Sequence, residues 1–169
     1  MTQTLQNVDH TALKVNQIVI IALNITAFIF NLWWLAAVVA GVMLVGTIVG
    51  KPGFVLVYSR VLKPLGWAKP RVIPDNPEPH RFAQGFGGVV MLAATLAIVA
   101  GVPLLGWSLV WLVAGLAALN AFAGFCVGCF IYYWLARLRI PRFDKRPPEG
   151  TFPGMRPELR KLEKPINES

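Results

Sequence analysis

The sequence predicts an all-α integral membrane protein. Its four transmembrane helices form two hairpins, both termini are cytoplasmic, and a short interfacial helix lies in the central loop. Three observations carry this. Hydrophobic residues make up 56% of the chain and charged residues 14%, against roughly 25% charged in soluble domains, so the apolar surplus needs lipid. No Lys, Arg, Asp or Glu occurs between Val15 and Gly50 or between Phe82 and Ala136. Every charge, including all sixteen Lys and Arg, therefore falls in residues 1–14, 51–81 or 137–169. With each uncharged stretch folded as a hairpin, those segments share one face of the membrane, and the positive-inside rule makes it the cytoplasmic face. The same distribution assigns the net charge of +8 to a lipid bilayer and excludes nucleic acid as the partner. A length of 169 residues predicts one folded unit, a membrane domain over 1–140, followed by a Pro-rich basic cytoplasmic tail over 141–169.

The opening, Met1 to Lys14, is polar and lacks the basic n-region and cleavage site of a signal peptide, so the first helix is expected to be its own insertion signal. The run Val15 to Gly50 has about 36 residues, too many for one span of roughly 20 and nearly enough for two. Asn31 and the Trp33-Trp34 pair mark its turn, giving helices over about 13–30 and 33–49, with one tilted helix as the rival reading. After Lys51-Pro52-Gly53, the segment 54–63 is short and apolar with basic punctuation, and is expected to lie flat in the headgroup zone.

Five prolines between Pro64 and Pro79 predict an extended, stiff lead into a third helix over about 80–100, which Gly101-Val102-Pro103 ends. A fourth helix is predicted over about 107–138, closing on the aromatic belt Tyr132-Tyr133-Trp134. Six prolines between Pro141 and Pro165 make the tail extended or disordered unless a partner orders it.

The two cysteines, Cys126 and Cys129, are the feature with chemical promise. At about 100° per residue, Phe122, Cys126, Cys129 and Tyr133 share a stripe about 60° wide. Asn120, Gly124 and Gly128 occupy the opposite side, where small residues admit a neighbouring helix and Asn120 offers an interhelical hydrogen bond. Gly46 and Gly50 repeat that spacing in the second helix. Counting back from the turn of the second hairpin brings His80 and Arg81 level with the cysteines, at the positive end of the third helix. Such neighbours favour thiolate. Gln84 and Tyr133 complete the expected surroundings.

Two readings stand side by side. In one, Cys126 and Cys129 are redox or sulfur-relay thiols at the membrane edge, Cys129 attacking because it lies nearer water. In the other, both are small hydrophobes packed in a Gly-rich helix, Arg81 is a snorkelling anchor and Gln84 satisfies an interhelical contact. A stable Cys126–Cys129 disulfide is not expected, because a mid-helix pair lacks helix-start geometry and the cytoplasm is reducing. No metal site is assigned. Cys2His2 zinc with His10 and His80 is geometrically open, but His10 reads as a solvated tail residue. Neither apolar block carries an ionisable group in its middle, which argues against an ion pump.

Two stretches, Pro77-Glu78-Pro79-His80-Arg81-Phe82-Ala83-Gln84-Gly85 and Leu119-Asn120-Ala121-Phe122-Ala123-Gly124-Phe125-Cys126-Val127-Gly128-Cys129, resemble a family of small bacterial membrane proteins, domain of unknown function 4395. The resemblance covers roughly residues 8 to 138 and pairs Arg-Phe-Ala-Gln with Cys-x-Gly-Cys. It implies a four-helix topology in a bacterial cytoplasmic (inner) membrane and supplies no substrate. The family pattern often has an acidic residue after the second cysteine, where this chain has Phe130. Two functions follow as expectations: a thiol redox or sulfur-relay protein serving a cytoplasmic thioredoxin-like or sulfurtransferase partner, or a non-catalytic accessory subunit of a respiratory or photosynthetic complex. Neither names a cofactor, and no enzymatic reaction is assigned. Transport would need a pore, hence an oligomer.

Overall fold

The computed structural model describes residues 6–63, 70–141, 143, 145–148 and 150–156. Helix α1 (His10–Ile29) starts where the Asp9 carboxylate accepts the first-turn N–H groups of Thr11 and Ala12, at 3.0 and 3.4 Å. It ends at Asn31, whose positive φ of 51° turns the chain within three residues into α2 (Trp33–Val49). Gly50, at φ 79°, closes α2 in the left-handed conformation that glycine adopts without a Cβ penalty. A short helix α3 (Val55–Val57) runs into a π turn over Tyr58–Leu62. This segment is tied to α1, because Asn16 Oδ1 accepts the Phe54 N–H at 2.8 Å and the Tyr58 hydroxyl donates to Asp9 Oδ2 at 2.8 Å.

Helix α4 (Pro77–Val99) begins with proline in its first turn, where the missing N–H costs nothing. Gly101 then turns the chain into α5 (Pro103–Ala118), again opened by proline. Helices α1, α2, α4 and α5 contact one another in a ring around a core that includes Ile20, Val39, Met43, Met91 and Val110. Apolar side chains also cover the outside, with Ile48, Val89, Leu96 and Leu104 exposed, as expected of helices that contact a bilayer. Three helical stretches are long and apolar enough to cross a membrane: His10–Ile29, Pro77–Val99 and Pro103–Ala123. The shorter apolar α2 has 17 residues, about 25 Å at 1.5 Å per residue, and falls short of a hydrocarbon core of about 30 Å.

Three expectations are corrected. The fold is not purely helical: strands β1 (Gln6–Asp9) and β2 (Val72–Asp75) pair antiparallel, Gln6 opposite Asp75 and Asp9 opposite Val72. The proline-stiffened lead was read as extended, but its partner, some sixty residues earlier in sequence, carries no periodic signal. Second, the helix predicted over about 107–138 is broken. After α5 comes a π turn, Leu119–Ala123, then Gly124 at φ 68°, then α6 (Val127–Arg137). Third, the described part of the tail is ordered by the chain itself. Gly154 O accepts the Cys126 N–H at 2.8 Å, Gly124 O accepts the Arg156 N–H at 3.1 Å, and Phe125 bridges Met155. Residues 157–169 of the predicted tail lie outside the described residues.

Candidate functional site

The break at Gly124 creates the site. Positive φ there reverses the chain, so Cys126 is extended (φ −98°, ψ 102°) and caps the N-terminus of α6, its sulfur accepting the Cys129 N–H at 3.2 Å. Cys126 and Cys129 form a disulfide with a Cα–Cα distance of 5.2 Å. The expectation of unbonded mid-helix thiols therefore fails. The pair sits at a helix start, where the residue before the first turn has the freedom to bring its sulfur over the third helical residue.

Gly128 fixes where this turn rests. A Cβ there would lie 2.7 Å from Ala83 Cα, so only glycine lets α6 sit directly on α4. That approach carries Cys129 Sγ to 3.5 Å from His80 Nδ1. The other ring nitrogen, Nε2, is 3.0 Å from Asp75 Oδ2, while Asp75 Oδ1 accepts the Asn76 N–H at 2.8 Å. Burial would raise the Asp75 carboxyl, but the hydrogen bonds of His10 and His80, the charge on His80 and the Asn76 N–H outweigh it and hold the group well below the usual carboxylate range. A carboxylate on Nε2 keeps a proton on that nitrogen and fixes the ring with Nδ1 facing Cys129.

Sequence reasoning missed part of this cluster. His10, expected in solvent, is buried with Nε2 3.3 Å from Asp75 Oδ2 and its ring edge-on to His80. From sequence, Asp75 and Asn76 read only as part of the extended lead into the third helix. The available signal was that both histidines of the chain fall at helix starts, where an acid between them would be shared.

Tyr133 does join the pair. It is buried beside both cysteines, and burial pushes its phenol to about 12 despite a hydrogen bond with Asn76. Arg81 and Gln84 serve the end of α2 instead. Arg81 lies over Gly50 and donates to Thr47 O at 3.1 Å; Gln84 donates to Met43 O at 3.0 Å and accepts the Gly53 N–H at 3.3 Å. Gly46 packs against Gln84 and Gly53 without room for a Cβ. Among the described residues, Asn120 makes no interhelical bond of the expected kind. Its backbone and side-chain oxygens accept from Arg156, at 2.8 and 3.5 Å. Phe122, once placed on the cysteine stripe, is exposed because the break rotates it away.

Two cavities reach the disulfide. One, of about 10 Å³, lies under the tail between Cys126, Cys129, His80 and tail residues that include Pro147, Pro148, Phe152 and Gly154. The other, of about 130 Å³, lies among α1, α2, α4 and α5, with Cys126 in its wall. His80 Nδ1 and the two sulfurs lie within 4.8 Å of one another, a soft donor set that in its reduced form could hold three positions of a tetrahedral metal. His10, the fourth donor considered from sequence, is turned toward Asp75.

A family model matches residues 8–137, the stretch from β1 through α6. The chain belongs to the domain of unknown function family DUF4395. No curated protein and no solved structure matches it. The family stretch holds His10, Asp75, His80 and both cysteines, and it stops before the tail that covers them in this DUF4395 chain. Phe130 stacks on Phe152 of that tail.

Proposed function

We propose that this protein exchanges disulfides with a thioredoxin-like or sulfurtransferase partner at the cytoplasmic edge of a bacterial inner membrane, through Cys126 and Cys129. The observation that carries the reading is the Cys126 sulfur at the head of α6 with Cys129, His80 and Asp75 in line behind it. A partner thiolate attacks Cys126 Sγ. The Cys126–Cys129 bond breaks, and its electron pair leaves on Cys129, which takes a proton from the His80 side. A second partner thiol then attacks the mixed disulfide and leaves oxidised, and Cys126 departs as a thiolate held by the helix N-terminus. Cys126 is the exchanging sulfur in this scheme, in place of the Cys129 expected from sequence, because it borders both cavities.

Two hairpins with both termini cytoplasmic suit this chemistry. The helix ends bearing the site, β1, β2 and the tail then lie with all the Lys and Arg on one face. The test is a Cys129→Ala chain expressed in its own membrane. Its free Cys126 thiolate should attack the disulfide of the oxidised partner, the reverse of the second step, and, with no Cys129 to resolve it, accumulate a mixed disulfide that a reductant releases. A Cys129→Ala chain that traps nothing, alongside a natural pair that resists reduction in intact membranes, would leave the disulfide structural and favour the accessory-subunit reading.

A further inference from the structure

The cavity of about 130 Å³ has an unusual wall for the interior of an apolar bundle. Asn16, Gln17 and Asn120 line it together with Cys126. The carboxamide oxygen of each is already engaged: Asn16 by the Phe54 N–H at 2.8 Å, Gln17 by Arg156 at 3.3 Å and Asn120 by Arg156 at 3.5 Å. Those donors fix the orientation of each amide, so the group left over in each case is the NH2. No Lys, Arg, Asp or Glu is among the described residues of the wall. His80 is the one titratable side chain among the described residues of the wall, and its ring nitrogens are directed to Asp75 and Cys129, so the site offers uncharged amide donors to its contents and asks for a neutral ligand bearing carbonyl oxygens. Its size is close to the roughly 150 Å³ that accommodates a benzene-sized ring, and its position inside a bundle of lipid-exposed helices favours a ligand delivered by the bilayer.

We infer that this cavity binds the ring of a lipid-phase quinone, which oxidises the reduced Cys126 and Cys129 thiols to the disulfide. The inference rests on the redox reading above and adds the oxidant. The balance is complete: two S–H bonds break and one S–S bond forms. The two electrons and two protons pass to the ring, whose two carbonyls become the hydroxyls of a quinol. Cys126 is the sulfur in the cavity wall, and Cys129 closes the disulfide on it.

The experiment uses the full chain in lipid nanodiscs, reduced and freed of reductant, then mixed with a short-chain benzoquinone. One quinol should form per chain as two alkylatable thiols disappear, at a rate that saturates with quinone. A redox-inert dimethoxybenzene of the same shape should compete. Filling the cavity with Ala117→Phe should slow quinone reduction at least tenfold and leave oxidation by a small water-soluble disulfide unchanged. Should that variant fail to fold, saturation and competition in the natural chain decide alone. Oxidation by the soluble disulfide without saturable quinone reduction overturns the quinone site and spares the exchange reading. Failure of both oxidants overturns both.

Discussion

The two ends of the helical bundle are built by opposite means. At one end, α1 passes to α2 and α4 to α5 through turns of three residues, at Phe30–Leu32 and Ala100–Val102, with Trp33, Trp34, Trp107 and Trp111 nearby. Everything needed is local: a left-handed Asn31 or Gly101, a proline and an aromatic belt. At the other end, β1 meets β2 across 63 to 69 positions, His80 meets Cys129 across 49, and Arg156 meets Gln17 across 139. Nearly all the described polar chemistry sits there. The difference teaches that one end of this bundle is built from local signals alone, while the other is assembled from distant segments and carries the proposed site.

That contrast can be broken most severely at Cys126. Cys126→Ser should abolish exchange with a dithiol partner while the chain still inserts, as followed by mixed-disulfide formation on gels. Next comes Asp75→Asn, which should slow exchange by about 10²-fold, within the range typical of a positioned proton-transfer group, read as the rate of pair reduction at pH 7. The same variant tests linkage. Asp75 is held below its ordinary range in the folded state, so its contribution to stability is complete above the ordinary carboxylate value of about 3.9 and is lost as pH falls below it. Melting in detergent should drop more steeply from pH 6 to pH 3 for the natural chain than for Asp75→Asn.

Two glycines sharpen the comparison. Gly128→Ala forces a Cβ into Ala83 and should cost about 1–3 kcal/mol together with most of the exchange rate. Gly106→Ala forces one against Ala94 O and Ile98 at the far end, and should cost a similar amount of stability and leave exchange intact. Thermal melting and exchange rate on the same samples separate the two. The smallest effect belongs to Arg81→Gln, which removes one hydrogen bond to Thr47 O and should shift stability by about 1 kcal/mol or less without touching exchange.

The same division explains what could be read in advance. The apolar runs and the gaps in charge make the helical membrane character legible, because each depends on neighbours within about 20 residues. The break in the last long helix was invisible for a physical reason. Gly124 in Leu119-Asn120-Ala121-Phe122-Ala123-Gly124 has the same letters whether it packs a helix or ends one, and its positive φ is decided by Gly154 and Arg156 pairing back onto that turn. Once the helix was taken as continuous, the disulfide was rejected and Phe122 was misplaced. His80 beside the cysteines could be reached by counting rises along two helices, whereas Asp75 and His10 required the β1–β2 pairing and could not.

The most direct test of a reactive pair at a helix start is the labelling of reduced Cys126 by a small water-soluble maleimide in native inverted membranes, titrated against pH, with Cys129→Ala isolating the signal. The account predicts an apparent pKa clearly below the free-thiol value of about 8.5, and faster labelling when Arg156→Ala loosens the tail. Labelling only after detergent denaturation, or a titration at or above the free-thiol value, would contradict it.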